Sequence, residues 1–298
     1  MDKDTMDVQN QPSEAARGAA LLRSLAAVDE REEIRGHDYL AEIFLAADRK
    51  SSFNDPVIKE WLTKNYFPEG VYEYSIARTA YFDHIVEQAL RENIPQIVFL
   101  GAGYDSRPYR YSEFAGETRI FELDDRDTQQ RKRESLRQAN VPIPERLTYA
   151  ALSFNRDILE DILFKAGFDK GQRSLFIWEG STYNLSAGDV DETLRFIHAH
   201  SQAGSTVCFD YNIIPAEMAE ANMSDEMKEI MNPAISSEHV QFGIEEKKIG
   251  AFLAERDFII IEHLTAEEME KKYLTLNDGS LAGKVPARHC IAYASVFG

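Results

Sequence analysis

IVFLGAGYD, residues 97–105, decides the fold. Its first four residues are apolar and partly β-branched, and they stop at Gly101-Ala102-Gly103, which predicts a buried strand entering a tight turn. The same grammar recurs downstream. RIFELD (119–124), LTYAAL (147–152), SLFIWEG (174–180), STVCFDY (205–211), FIIIEHL (258–264) and CIAYASVF (290–297) read as strands. Helical patterns over 127–140, 158–166, 189–201 and 245–256 separate most of them. Strands alternating with helices of this length imply βαβ units and a doubly wound, largely parallel α/β sheet covered on both faces. The last two strands follow each other without a clear helix, which an antiparallel strand at the end of the sheet explains.

Upstream of Pro95 the pattern is helical: 13–27 with Ser13 as N-cap, 37–47, 57–66 and 76–92. The expected organisation is a disordered tail at 1–13, a helical cap at 14–94, and an α/β domain at 95–298. An insert at about 212–243 carries Met218, Met223, Met227 and Met231 and is expected to act as a lid, covering the acceptor together with the N-terminal helices.

Composition narrows the function. The 298 residues are 44% hydrophobic and 28% charged, as in a globular protein, and carry a formal charge of −18. Nucleic acid and anionic membrane surfaces are repelled by such a balance, because both are held by basic groups. No stretch approaches the roughly 20 apolar residues of a membrane span, and the acidic first residues resemble no targeting segment. Two cysteines, Cys208 and Cys290, lie inside apolar runs and point to a reducing compartment, the cytoplasm by default.

In open parallel sheets ligands bind beyond the carboxyl ends of the strands. There this sequence places Gly101 and Gly103, then Glu122 and Asp124 about 20 positions later, and Glu179 after the apolar run ending in Trp178. The glycines let backbone approach a ligand, an acid at that spacing accepts ribose hydroxyls, and a carboxylate ending so apolar a strand needs a partner. Ser106 stands where a dinucleotide-binding loop has its third Gly or Ala, which counts against a nicotinamide cofactor. Zinc-ligand spacings, Walker loops and nucleophile elbows are absent from the sequence, so no metal is expected.

Taken together, IARTAYFD (76–83), VFLGAGYDSRPYR (98–110), FELDD (121–125), IWEGSTYNLS (177–186) and QFGIEEKKIGAFLAERDF (241–258) resemble the leucine carboxyl methyltransferase family of S-adenosylmethionine-dependent O-methyltransferases, in its bacterial small-molecule branch. The resemblance implies a class I methyltransferase fold, Rossmann-like, with seven strands of which the last is antiparallel. It implies S-adenosylmethionine as cofactor, with Arg78 on the methionine carboxylate, Gly101 and Gly103 against the cofactor, Asp124 on the ribose supported by Glu122, Leu152 and Ser153 beside adenine, and Glu179 near the amino-acid portion. A further basic residue is Arg49 or Lys50. Two positions depart from the family pattern: Ala151-Leu152 replaces Asp-Leu, and Asn184-Leu185 replaces Tyr-Leu, with Tyr183 one place early.

The implied reaction is methyl transfer to a carboxyl or hydroxyl oxygen of a small molecule, in specialised metabolism. A carboxylate acceptor needs no base, whereas a hydroxyl does, and Asp210, Tyr211 and His239 are the candidates. Methylation of a protein C-terminus, a cofactor-binding sensor without turnover, and a nicotinamide oxidoreductase are the competing readings.

Overall fold

The computed structural model describes residues 14–45, 56–153, 157–215 and 241–297. Along its central strand β1 (Gln96–Leu100), Ile97 and Phe99 face one core and Val98 and Leu100 the other, all at most 1% exposed. Burial on both faces explains why this strand is continuously apolar rather than alternating. β2 (Arg119–Asp124), β3 (Leu147–Ala151), β4 (Ser174–Trp178) and β5 (Thr206–Ile214) extend the parallel sheet. β6 (Ile244–Glu245) adds a short parallel pairing at the end of β5, and β7 (Phe258–Leu264) and β8 (His289–Val296) complete the set. The main sheet order is β3-β2-β1-β4-β5-β8-β7. It reverses direction between β1 and β4, and their carboxyl ends open the crevice in which such sheets bind ligands.

The helices are α1 (Glu14–Ala27), α2 (Pro56–Trp61), α3 (Val71–Arg91), α4 (Arg107–Arg110), α5 (Arg126–Gln138), α6 (Leu159–Lys165), α7 (Ala187–Ala199), α8 (Ile249–Ala254) and α9 (Ala266–Tyr273). Leu25 of α1, Tyr81 and Phe82 of α3 and Met269 of α9 join Ile97 and Phe99 in one core. Leu163 of α6, Leu194 of α7 and Leu253 of α8 join Val98 and Leu100 in the other. Residues 14–45 and 71–94 therefore share a core with the sheet. No described helix is long and apolar enough to cross a membrane.

The seven expected strands are present, with the doubly wound, mostly parallel arrangement. Three details differ. β8 is antiparallel but lies inside the sheet, between β5 and β7. Its Cys290, Ile291, Ala292 and Ala294 are fully buried, whereas Ile259 and Ile261 of β7 are half exposed, as suits an edge. A helix, α9, does separate the last two strands. Its start is a capping box in which Thr265 Oγ1 accepts from the Glu268 N–H and the Glu268 carboxylate takes the Thr265 N–H, a signal readable in Thr-x-x-Glu. Residues 37–45 form only a 3₁₀ turn at Ala41–Phe44, because Asp38 turns inward and accepts the Leu40 N–H as well as groups from α1 and α4. Residues 1–13, the methionines of the insert, Arg49 and Lys50 lie outside the described residues.

Candidate functional site

A cavity of about 710 Å³ opens where β1, β2, β3 and β4 end. Its floor is the Gly101–Asp105 turn, and Asp124, Leu152, Ser153, Glu179 and Gly180 stand around it, with Ala16, Ala19 and Arg23 of α1 above. Gly103 adopts a φ of 45°, and a Cβ there would meet the Ala16 Cβ at 3.3 Å, so glycine permits both the turn and the close approach of α1. The Gly103 N–H donates to Asp124 Oδ2 at 2.6 Å and the Asp125 N–H to Oδ1 at 2.7 Å. Burial raises the Asp124 pKa, only partly offset by those two donors. The carboxylate is thus fixed in direction and remains a hydrogen-bond acceptor at the cavity wall.

Arg78, on α3, reaches the same cavity. Its Nε lies 3.0 Å from Glu179 Oε1, and its Nη1 donates to Asp210 Oδ2 at 3.0 Å. Gly180, with a φ of 71°, makes room: a Cβ there would sit 3.3 Å from Arg78 Nη1. From Glu179 the contacts continue. Arg107 Nη1 lies 2.6 Å from both Glu179 Oε2 and Asp105 Oδ2, and its Nε 2.7 Å from Asp83. Arg110 joins Asp83 at 2.8 Å to Asp38 at 3.6 Å, and Asp38 binds Arg23 Nε at 2.8 Å. Five carboxylates and four guanidiniums thus alternate in one chain from α1 to β5, each side chain at most 11% exposed. Burial alone would raise the carboxyls of Asp83 and Asp105; the Arg107 guanidinium outweighs it and holds both below the usual carboxylate range. Sequence reasoning quoted both motifs in this network yet gave Asp83, Asp105, Arg107 and Arg110 no role. Arginines three apart after the glycine turn were the available signal.

Of the expected cofactor residues, Arg78, Gly101, Gly103, Asp124, Leu152, Ser153 and Glu179 all line the cavity. Glu122 does not. It is fully buried beneath the sheet end against Lys132 Nζ at 2.8 Å, and burial pushes its carboxyl up to about 7 against the pull of that ammonium. Strand alternation is the reason, since Glu122 and Asp124 share a face but only Asp124 reaches the strand end. Ser106, at the third-glycine position, is buried and donates to Asp38 Oδ1 at 2.6 Å.

The expected bases are placed differently. Asp210 is fully buried behind Arg78 and accepts from Tyr74 Oη at 2.7 Å, Arg78 Nη1, and the Gly180 N–H at 2.6 Å. It positions Arg78 and does not line the cavity. Tyr211 lies in the opposite core, its hydroxyl 2.9 Å from His263 Nε2. His239 lies outside the described residues.

The lining suits a cationic nucleoside. Its acids, Asp105, Asp124, Asp125, Asp127 and Glu179, outnumber Arg23, Arg78 and Arg126, and Asp124 offers its oxygens to a diol beside apolar Leu152. Comparison with known proteins agrees. The family model described as Leucine carboxyl methyltransferase matches residues 16–198. A Bacillus subtilis protein, "Putative S-adenosyl-L-methionine-dependent methyltransferase YktD", is 25% identical over 70% of this chain and 68% of its own length. A protein of Mycolicibacterium paratuberculosis with the same general description is 31% identical over 70% of this chain and 68% of its own. Among solved structures, an O-methyltransferase family protein from Burkholderia thailandensis aligns with a TM-score of 0.47 and 10% identity, over 95% of this chain and 72% of that one.

Proposed function

This chain belongs to the leucine carboxyl methyltransferase family and is an S-adenosylmethionine-dependent methyltransferase, and on that premise we propose that it methylates an oxygen, carboxyl or hydroxyl, of a small molecule. The observation that carries the reading is the carboxylate pair Asp124 and Glu179 at the ends of β2 and β4, facing one cavity. Asp124 would hold the ribose, Leu152 and Ser153 would flank adenine, and Arg78, with Nε and Nη1 already committed, would offer its remaining amino group to the methionine carboxylate. Bound S-adenosylmethionine supplies an already activated methyl group. The residues of the chain orient the acceptor along the line of transfer and exclude water.

A cavity of about 710 Å³ falls within the roughly 300–1,000 Å³ of small-ligand sites. The charge of −18 weighs against nucleic acid and anionic membranes. Two free buried thiols favour the cytoplasm, and a role in specialised metabolism follows from the resemblance.

Calorimetric titration with S-adenosylmethionine and S-adenosylhomocysteine, followed by product analysis with methyl-labelled cofactor and a panel of carboxylates and phenols, tests the reading. Methyl transfer to oxygen is expected. Transfer to nitrogen or carbon would overturn it, and tight binding with no product from any acceptor would favour a sensor.

A further inference from the structure

We propose that His289, with Asn212 and Ser181, forms the acceptor subsite, and that the acceptor it takes is a hydroxyl. The inference rests on the O-methyltransferase reading and chooses between its two acceptor classes.

Its place comes from the sheet. The end of β5 and the start of β8 are antiparallel neighbours with Asn212 directly opposite His289. The Tyr74 ring of α3 stacks on His289 with centroids 4.0 Å apart and 9° between planes. The Tyr74 hydroxyl donates to Asp210, the carboxylate that holds Arg78 and the Gly180 N–H. One aromatic ring thus separates His289 from the group that positions the cavity wall, and Ser181, next to Gly180, lines that cavity.

These residues share a second property. His289 is 6% exposed and Asn212 2%, yet both ring nitrogens and the amide oxygen have no hydrogen-bond partner, nor has the buried Ser181 hydroxyl. More than nine in ten buried polar groups are paired. A histidine serving only as a strut would have its nitrogens tied; three orphaned neighbours at the end of the cofactor cavity mark the place of a polar ligand.

The chemistry of the strip selects the class. All three side chains are uncharged: burial, with Arg288 and Arg78 nearby, holds the His289 ring near a pKa of about 3 and therefore neutral. Nε and Nη1 of Arg78 are committed to Glu179 and Asp210, and Arg288 is itself engaged. A carboxylate would enter beside Asp210 and Glu179 against like charge, whereas a hydroxyl satisfies neutral donors and acceptors without burying a charge. In the step itself, the acceptor hydroxyl donates to an unprotonated His289 nitrogen. As its oxygen lone pair forms the bond to the methyl carbon, the carbon–sulfur bond breaks with its electron pair passing to sulfur, and the proton moves to the ring. A weakly basic ring suffices, because an oxygen being alkylated becomes strongly acidic.

The test uses full-length protein, ¹⁵N-labelled at histidine and loaded with S-adenosylhomocysteine, titrated with 4-nitrophenol and separately with benzoate. The His289 ring resonances should shift with the phenol and stay still with benzoate; this reading needs no variant. In turnover with 4-nitrophenol, His289→Gln should lose about 100-fold with cofactor affinity unchanged, and Asn212→Ala should raise the phenol KM about 10-fold. A silent ring, an equal response to benzoate, or wild-type turnover in His289→Gln overturns the inference. If the cofactor itself fails to bind, the broader functional reading fails. If it binds and only carboxylates are methylated, this inference alone fails.

Discussion

The two halves of the crevice are built on opposite principles. On the β1–β4 side, the carboxylates and guanidiniums of the ionic chain are paired, buried and cross-braced between α1, α3, α4 and β5. On the β5–β8 side, neutral groups are equally buried and unpaired. The first half is complete before any ligand arrives, which suits a cofactor that never changes. The second is left unsatisfied, which suits a group the ligand must supply. Buried polar networks are rigid when fully paired and costly when not, so the contrast separates preorganised structure from waiting function.

Breaking the ionic half should have the largest effect. Arg107 touches Asp83, Asp105 and Glu179 at once, at 2% exposure. Arg107→Ala leaves three buried carboxylates without their shared partner, and destabilisation of about 3–5 kcal/mol is expected from the urea midpoint at constant m. A loss under about 1 kcal/mol would show that the network does not brace the site.

Asp124→Asn probes the cofactor contact alone. Removing a charged acceptor from hydroxyl donors should weaken S-adenosylmethionine binding by about 1.5–3 kcal/mol in calorimetry. Glu122→Gln sharpens the comparison: two residues earlier but turned away from the cavity, it should leave that affinity unchanged. Equal losses from both would contradict the assignment of Asp124.

These distinctions mark what the sequence could reveal. Strands were legible because burial on both faces makes them apolar runs, and RIFELD and FIIIEHL match β2 and β7 residue for residue. Glycines, Asp124 and Glu179 were legible because they end such runs. α9 was obscured by its polarity, since within Ala266–Tyr273 only Ala266, Met269 and Glu270 are buried. Glu122 and Asp210 carry the right chemistry at the right strand ends, and only side-chain direction and partners separate them from the cavity. His289 carries no local signal: its meaning depends on Tyr74 and Asn212, 215 and 77 positions away in SEQ order, brought together by the fold.

Acid should expose the difference between the halves again. The folded-state pKa of His289, about 3, lies below its unfolded value near 6.5. Above pH 6.5 both states are neutral there. As the pH falls toward 3 the unfolded chain takes up a proton that the folded ring refuses, and stability drops by up to about 1.4 kcal/mol per pH unit from this group. The ring is faced by Tyr74, Arg78 and Arg288, none of which titrates in that window, although Asp210 beyond Tyr74 is a carboxylate. Denaturant unfolding of His289→Gln from pH 7 to 4 should show a shallower decline than wild type. Parallel declines would mean that the ring is already charged or paired.

The smallest effect is the most discriminating. In the free protein the Ser181 hydroxyl is buried and unpaired, so Ser181→Ala removes a desolvated polar group and breaks no hydrogen bond. Stability should stay level or rise by up to about 1 kcal/mol, the reverse of what truncating a working hydrogen bond does. Cofactor affinity should hold as well, because the cofactor contacts are assigned to Asp124 and Arg78. Only the KM for a hydroxyl acceptor should worsen, by up to about tenfold, the value of one hydrogen bond. A variant that is less stable with an unchanged acceptor KM would place Ser181 among the braced groups, and the division between a finished half and an unfinished one would move past residue 181.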